Sequence, residues 1–314
     1  MIKKKPEKSA KINSKRTFKR NANIFIVCML ALPVIQWVVF WLSVNASSIG
    51  LAFTHPRTGE FTWSNFATLW EDLTAPYGTI KIALLNTLKY FAAQMLLTNT
   101  LALLIAFFLY KKIALYKAFR IFFFLPAIIS AVAMVVVFSE VVAPTGLLGL
   151  FMKAIGHPLP EEGLLARAGS ATNVIIFYTV WTGMSTNILL FSGAMARVPV
   201  EILESARLDG CSPMREFFQL ILPLITPTIT TVVVITFTSV FTATGPILLF
   251  KGGPNETTLS YWIFEKVYGN GALGGGSPEL YNIVSCTGLC FTLIGVPIIM
   301  GVRHLMNKIP TVEY

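Results

Sequence analysis

Six apolar runs, each about as long as a helix that crosses a bilayer, divide this chain and constrain its fold more than any other feature. A helix needs about 20 largely apolar residues to cross a ~30 Å hydrocarbon core. The runs lie at Ile24–Val44, Leu84–Tyr110, Ile121–Val142, Val174–Ala196, Leu220–Gly245 and Ile283–Val302. Composition agrees: 54% of the 314 residues are apolar and 13% charged, with mean hydropathy +0.68. The expectation is an all-α membrane protein with six transmembrane helices. Its parts are a basic tail (1–23), a first span (24–44) retained as an anchor, an external loop (45–80), a five-helix core (81–303) and a C-terminal tail (304–314).

Charge orients these spans. Of 25 Lys and Arg residues, nine lie in Lys3–Arg20, and nine more sit in the 2–3 and 4–5 loops or after the last run. Those 18 fall on one side, while the opposite loops carry Glu60, Glu71, Asp72, Glu161, Glu162, Glu256, Glu265 and Glu279. Basic loops stay on the cytoplasmic side, so both termini are expected there. The basic head carries one aromatic among its charges, Phe18, too little stacking surface for nucleic acid, which leaves weak contact with anionic lipid. Four scattered cysteines make no disulfide framework, and the three histidines make no metal-ligand spacing.

Polar residues within the runs are the first candidates for function. Asn86, Tyr90, Gln94 and Thr98 recur every four residues and share a helical face, with Lys89 beside them. Thr231, Thr238 and Thr242 share a face in the fifth run, and the fourth offers Tyr178, Trp181 and Ser185. Each residue singly is read first as glue between helices; as a set they make a polar substrate path. A Lys inside a span costs about 2.5–3.5 kcal/mol and is expected to face the bundle or water. After the fifth run, Tyr261–Tyr268 reads as an interfacial aromatic helix, and the Gly271–Gly276 tract as a flexible loop.

The stretch VPVEILESARLDGCSPMREFFQLILP, Val198–Pro223, interrupts the apolar runs on the basic side. Pro199 suits a first helical turn, Gly210 a left-handed helix stop, and Ser212-Pro213 the start of a second helix. Ile202, Leu203 and Ala206 line one helix; Met214, Phe217, Phe218 and Ile221 line the other. Two short helices joined at Asp209-Gly210 either dock into a groove on another protein or lie beneath the bundle.

This stretch resembles the EAA loop of the membrane subunits of ATP-binding-cassette importers: Glu-Ala-Ala, three residues, Gly, nine residues, then Ile-x-Leu-Pro. Glu204, Ala206, Gly210 and Leu222-Pro223 match; Ser205 and Leu220 are mild departures. The stretch around Pro126 looks like the third span of carbohydrate permeases. GLLGLFMKAIG is similar to an external GLLN-type segment, with Gly149 in place of Asn. Gly252-Gly253-Pro254 with Thr257 or Thr258 resembles a GGP-x-x-T stretch of sugar permeases like the larger maltose-system membrane subunit. The resemblance implies a type I importer permease fold with a cytoplasmic coupling-helix hairpin at 198–219. It further implies a bacterial inner-membrane subunit that carries sugar or oligosaccharide and is not itself an enzyme.

The implied partners are a second, homologous permease, a pair of ATPase subunits holding ATP and Mg, and an external substrate-binding protein. Glu204, Ser205, Ala206, Asp209, Gly210, Met214, Phe217 and Phe218 would form the ATPase-coupling surface. No G-x-x-x-x-G-K-[ST] phosphate loop occurs in the chain, consistent with ATP hydrolysis on a partner. A different cargo (peptide or glycerol phosphate), an ATPase-independent carrier or channel, and a lipid-modifying membrane enzyme are the alternatives.

Overall fold

The computed structural model describes residues 7–167, 169–239, 245–250, 257–269 and 278–309, with side chains described from Asn21 onward. Among the described residues five helices are long and apolar enough to cross a membrane: Asn21–Ala52, Thr79–Tyr110, Ala131–Ala154, Ala171–Met195 and Glu279–Met306. A sixth is obtained if the bent pair Pro213–Leu224 and Thr226–Ser239 counts as one. The helices form an all-α membrane bundle.

The first span continues to Ala52, eight residues past its expected end, because Ser43–Ala52 packs against the last span. No residue in its apolar window is buried, so its side chains face outward from the bundle. At its end, Asn65 Nδ2 donates to the Ala52 and Thr54 carbonyls at 2.9 and 3.0 Å. Helix-terminal carbonyls lack intrahelical partners, and Asn65 supplies one.

The second span begins at Thr79, where Asp72 accepts from the Thr79 and Ile80 amides at 3.2 and 2.7 Å. A carboxylate at a helix N-terminus satisfies orphan N–H groups and complements the dipole. Gly78 permits the approach: a Cβ there would stand 1.7 Å from the Asp72 carbonyl oxygen.

The third run is not one straight helix. It folds as Tyr116–Ile128 and Ala131–Val142, with Ile129 and Ser130 extended at ψ 145° and 134°. Pro126 withholds a backbone donor near the end of the first piece, and Ser130 accepts the first amide of the second, from Met134, at 2.9 Å. Leu147–Ala154 follows a turn at Pro144. Gly149 is buried there, and a Cβ would lie 2.0 Å from the Pro144 carbonyl oxygen. The glycine that departs from the GLLN-type pattern therefore sits where this backbone has no room for a side chain.

The fifth run also breaks. Pro213–Leu224 and Thr226–Ser239 meet at 74°, with Pro223 and Pro227 flanking the bend at Ile225. Leu220–Leu224, expected inside the span, belongs to the hairpin arm instead.

The largest core joins the second, fourth and bent fifth helices. Ala102, Ala106, Ile188, Phe191, Met195, Leu203, Phe217 and Ile221 are all buried in it. Small residues let the second and fourth spans approach closely. At Gly183 an added Cβ would come 3.3 Å from Thr98 Cγ2. A second core at the other end holds Ala52, Leu69, Ile80, Leu259, Trp262 and Val284. The helix Leu259–Tyr268 is packed into this core through Leu259 and Trp262. Its Trp262 indole donates to Thr79 Oγ1 at 3.2 Å.

Candidate functional site

The 198–224 hairpin is built as its sequence chemistry dictates. Val200–Leu208 forms one helix, with Pro199 at its N-cap rather than inside the first turn. Gly210 takes φ +76°. The Cys211 amide donates to the Ala206 carbonyl at 2.9 Å and the Gly210 amide to the Arg207 carbonyl at 3.0 Å. These two bonds close a Schellman motif, which satisfies carbonyls the helix end would otherwise leave unpaired. The second arm starts at Pro213, where Ser212 Oγ accepts from the Arg215 amide at 3.4 Å.

The two arms have an inner and an outer side. Leu203, Phe217 and Ile221 are buried, Ala206 and Ile202 half-buried. Phe217 rests against Phe107 of the second span with ring centroids 4.7 Å apart. Burying such a side chain stabilises by about 1.5–3 kcal/mol, so the inner side fixes the hairpin to the bundle. Phe217, expected on the docking surface, thus belongs to the core of its own chain. Glu204, Ser205, Asp209, Met214 and Phe218 are exposed. So is Leu208, at 90%, the most exposed large apolar residue in the hairpin. Its position beside the Asp209-Gly210 turn was the available signal.

Within the hairpin's second arm lies a buried acid that sequence reasoning passed over. Glu216 is 1% exposed; Lys111 Nζ donates to its Oε1 at 2.5 Å, and Arg207 Nε stands 3.6 Å from Oε2. Lys111 also sits over the Phe107 ring at 5.6 Å. Removing one partner of a buried ion pair costs about 3–5 kcal/mol, because the other charge is left uncompensated. Glu216 lies four residues after Ser212 in an amphipathic arm, so an acid on its apolar side was the sign to read.

The intramembrane residues divide into packed and open groups. Asn86 is buried and donates to the Thr257 carbonyl at 3.1 Å, while Thr87 Oγ1 accepts from the Leu259 amide at 2.8 Å. Tyr90 is buried. Gln94 is half-buried and its Oε1 accepts from Ser239 Oγ at 3.0 Å. Tyr178 is buried between Phe138 and Phe250, each with ring centroids at 5.0 Å. Ser185 Oγ donates to the Phe123 carbonyl at 2.5 Å. Trp181 lines an apolar groove of about 740 Å³ together with Phe122, Phe138 and Leu101.

Lys89, Thr231 and Thr238 are exposed on the chain's surface. Thr231 lines a cavity of about 410 Å³ with Thr230, Arg303 and Asn307. Thr242 and Gly252-Gly253-Pro254 lie outside the described residues. Among the described residues the polar set therefore does not form one continuous face: Asn86, Gln94 and Ser185 hold helices together, and Lys89, Thr231 and Thr238 look outward.

A polar cluster absent from the sequence reading ties three helices. Asn187 Nδ2 donates to Asn99 Oδ1 at 2.8 Å, and Asn99 Nδ2 donates to Thr236 Oγ1 at 3.1 Å. The wide π turn Ala93–Thr98 takes up an extra residue and resets the helical face, so neighbours Thr98 and Asn99 are both buried.

Residues 98–309 match the family described as "Binding-protein-dependent transport system inner membrane component". The chain is similar to the "Multiple sugar-binding transport system permease protein MsmF" of Streptococcus mutans, 28% identical over 280 residues covering 87% of this chain and 92% of that protein. It is also similar to the "sn-glycerol-3-phosphate transport system permease protein UgpA" of Escherichia coli, 28% identical over 251 residues, 78% of this chain and 80% of that protein. A solved bacterial ABC transporter "involved in the import of the acidic polysaccharide alginate" has a chain of the same fold. Its TM-score is 0.78 at 18% identity, covering 94% of this chain and all of that one. With that fold, and with the family match extending over the hairpin and the spans around it, this chain belongs to the inner membrane components of binding-protein-dependent transport systems and is a membrane transport subunit.

Proposed function

We propose that this chain forms half of the translocation pathway of an ATP-driven saccharide importer in a bacterial inner membrane, with both termini cytoplasmic. The hairpin carries the reading. Its inner side is part of the bundle core, while Glu204, Leu208, Asp209, Met214 and Phe218 are presented outward around a left-handed Gly210 turn. Such a mixed apolar and acidic surface on short helices suits a groove in another protein. That partner is an ATPase subunit pair, which holds ATP and Mg. A second, homologous permease completes the pore, and an external binding protein delivers cargo. ATP-driven closure of the ATPases then biases the bundle between two states.

A saccharide cargo is supported by the relative named as a multiple sugar-binding system permease. It is supported too by the neighbouring fold, seen "in complex with alginate pentasaccharide-bound periplasmic protein". Glycerol phosphate is the second reading, favoured by the similarity to UgpA and by the exposed Lys89. Reconstitution of the four-subunit complex with its binding protein tests both. ATP-dependent uptake of labelled oligosaccharide, competed poorly by glycerol 3-phosphate, is expected. Uptake by this chain alone, or without ATP, contradicts the proposal.

A further inference from the structure

The buried acid of the second hairpin arm has two cationic neighbours on two different elements. Lys111 ends the second span, Arg207 lies in the first hairpin arm, and Glu216 sits between them in the second arm. The Phe107–Phe217 ring contact lies directly alongside, with Lys111 over the Phe107 face. Charge pair and ring pair therefore join the same two elements: the second span and the second hairpin arm.

We propose that Glu216 and Lys111 are positioning residues of the coupling step: together they lock the hairpin to the basic end of the second span, so that a push on the hairpin moves that span as one body. The proposal rests on the reading of the hairpin as the ATPase-docking element. Three observations carry it. The acid is fully buried, so its charge is compensated by neighbours in the chain rather than by water. The Lys111 bond is short and charge-assisted, and such bonds are about twice as strong as neutral ones. The Arg207 contact is longer and partly exposed, so the first arm is tied more loosely than the second. The same second span carries Asn99, which is bonded to the fourth and fifth helices. A displacement at Lys111 thus reaches three helices through packed and hydrogen-bonded contacts.

The test uses the whole reconstituted complex, in wild-type form and with Glu216→Gln, Lys111→Met, or the exchange Glu216→Lys with Lys111→Glu. Three quantities are read: ATP hydrolysis, cargo moved per ATP, and ATPase subunits retained on purification. The single variants are expected to retain the ATPase subunits and to hydrolyse ATP, but to move about tenfold less cargo per ATP, within the about 5–150-fold range of a coupling free energy. The exchange is expected to recover most of that loss. Unchanged cargo per ATP in the single variants overturns the proposal. A proportional fall of uptake, hydrolysis and retained ATPase also overturns it, since that is the mark of a merely structural contact.

If the single variants do not insert, spin labels at the exposed Lys112 and Arg215, in a chain whose four cysteines are replaced, ask the same question. One distance, the same with and without trapped ATP, is expected; a distance that changes between the two states overturns the lock. Failure of the underlying reading looks different: the wild-type complex itself would retain no ATPase through the hairpin.

Discussion

Asn187 Nδ2 donates to Asn99 Oδ1 at 2.8 Å, linking the fourth span to the second at a level where Asn99 also reaches Thr236 of the fifth. In hydrocarbon, interhelical hydrogen bonds of this kind average about 0.6 kcal/mol, with a maximum near 1.7. Asn99→Leu removes both and leaves Asn187 Nδ2 without this acceptor. Its expected cost is about 1–2 kcal/mol, read as lowered unfolding stability in detergent, while Thr231→Val on the exposed side of the fifth helix stays within about 0.5 kcal/mol.

The turn of the hairpin is set by backbone conformation and not by space. Gly210 holds φ +76° with nothing within 4 Å of a Cβ position. Gly210→Ala is therefore expected to cost about 1–2 kcal/mol from the left-handed strain alone, and Gly210→Asn less, since Asn tolerates that region. Transport should fall in the order Gly, Asn, Ala, with Pro inactive. Equal activity of the Ala and Asn variants would show that the turn's geometry is not used.

At the opposite end the constraint is space. Gly78→Ala places a Cβ 1.7 Å from the Asp72 carbonyl oxygen and forces Asp72 off the start of the second span. Loss of the capping bonds is worth about 0.5–2 kcal/mol. Asp72→Ala removes only the capping bonds, so Gly78→Ala, whose clash is with the Asp72 backbone, is expected to cost more than Asp72→Ala, and the double variant about as much as Gly78→Ala alone. Thermal unfolding of the purified chain measures all three.

Packed and open polar residues are expected to behave differently in transport. Asn86 holds the Thr257 carbonyl, so Asn86→Ala should lower stability and assembly. Lys89 and Thr238 are exposed, so Lys89→Ala and Thr238→Ala should leave assembly intact and alter cargo affinity or rate. An anionic cargo should lose more with Lys89→Glu than a neutral one. Wild-type kinetics for both exposed positions would remove them from the pathway.

The membrane class, the hairpin and its Gly210 stop were legible in the sequence because each follows from a local rule: apolar length, capping chemistry, left-handed φ. The breaks at Ile129-Ser130 and Ile225 were less so. Pro126, Pro223 and Pro227 announce weakened helices, but whether a proline kinks a span or ends it depends on what packs around it. The π turn at Ala93–Thr98 contains no breaker, so Asn99 could not be placed on the inner face by counting fours. Phe217 and Phe218 are adjacent and chemically alike; only packing against Phe107 separates a core ring from an exposed one. Glu216 was overlooked because its partner Lys111 is 105 residues away in sequence.

Outward presentation of Leu208 at the hairpin's tip is the feature on which the functional account depends most. A photo-crosslinking side chain at position 208, activated in the assembled complex, tests it directly. The account predicts a covalent adduct between this chain and an ATPase subunit, lost when Gly210→Pro disrupts the turn. Adducts confined to lipid or to this chain itself would contradict it.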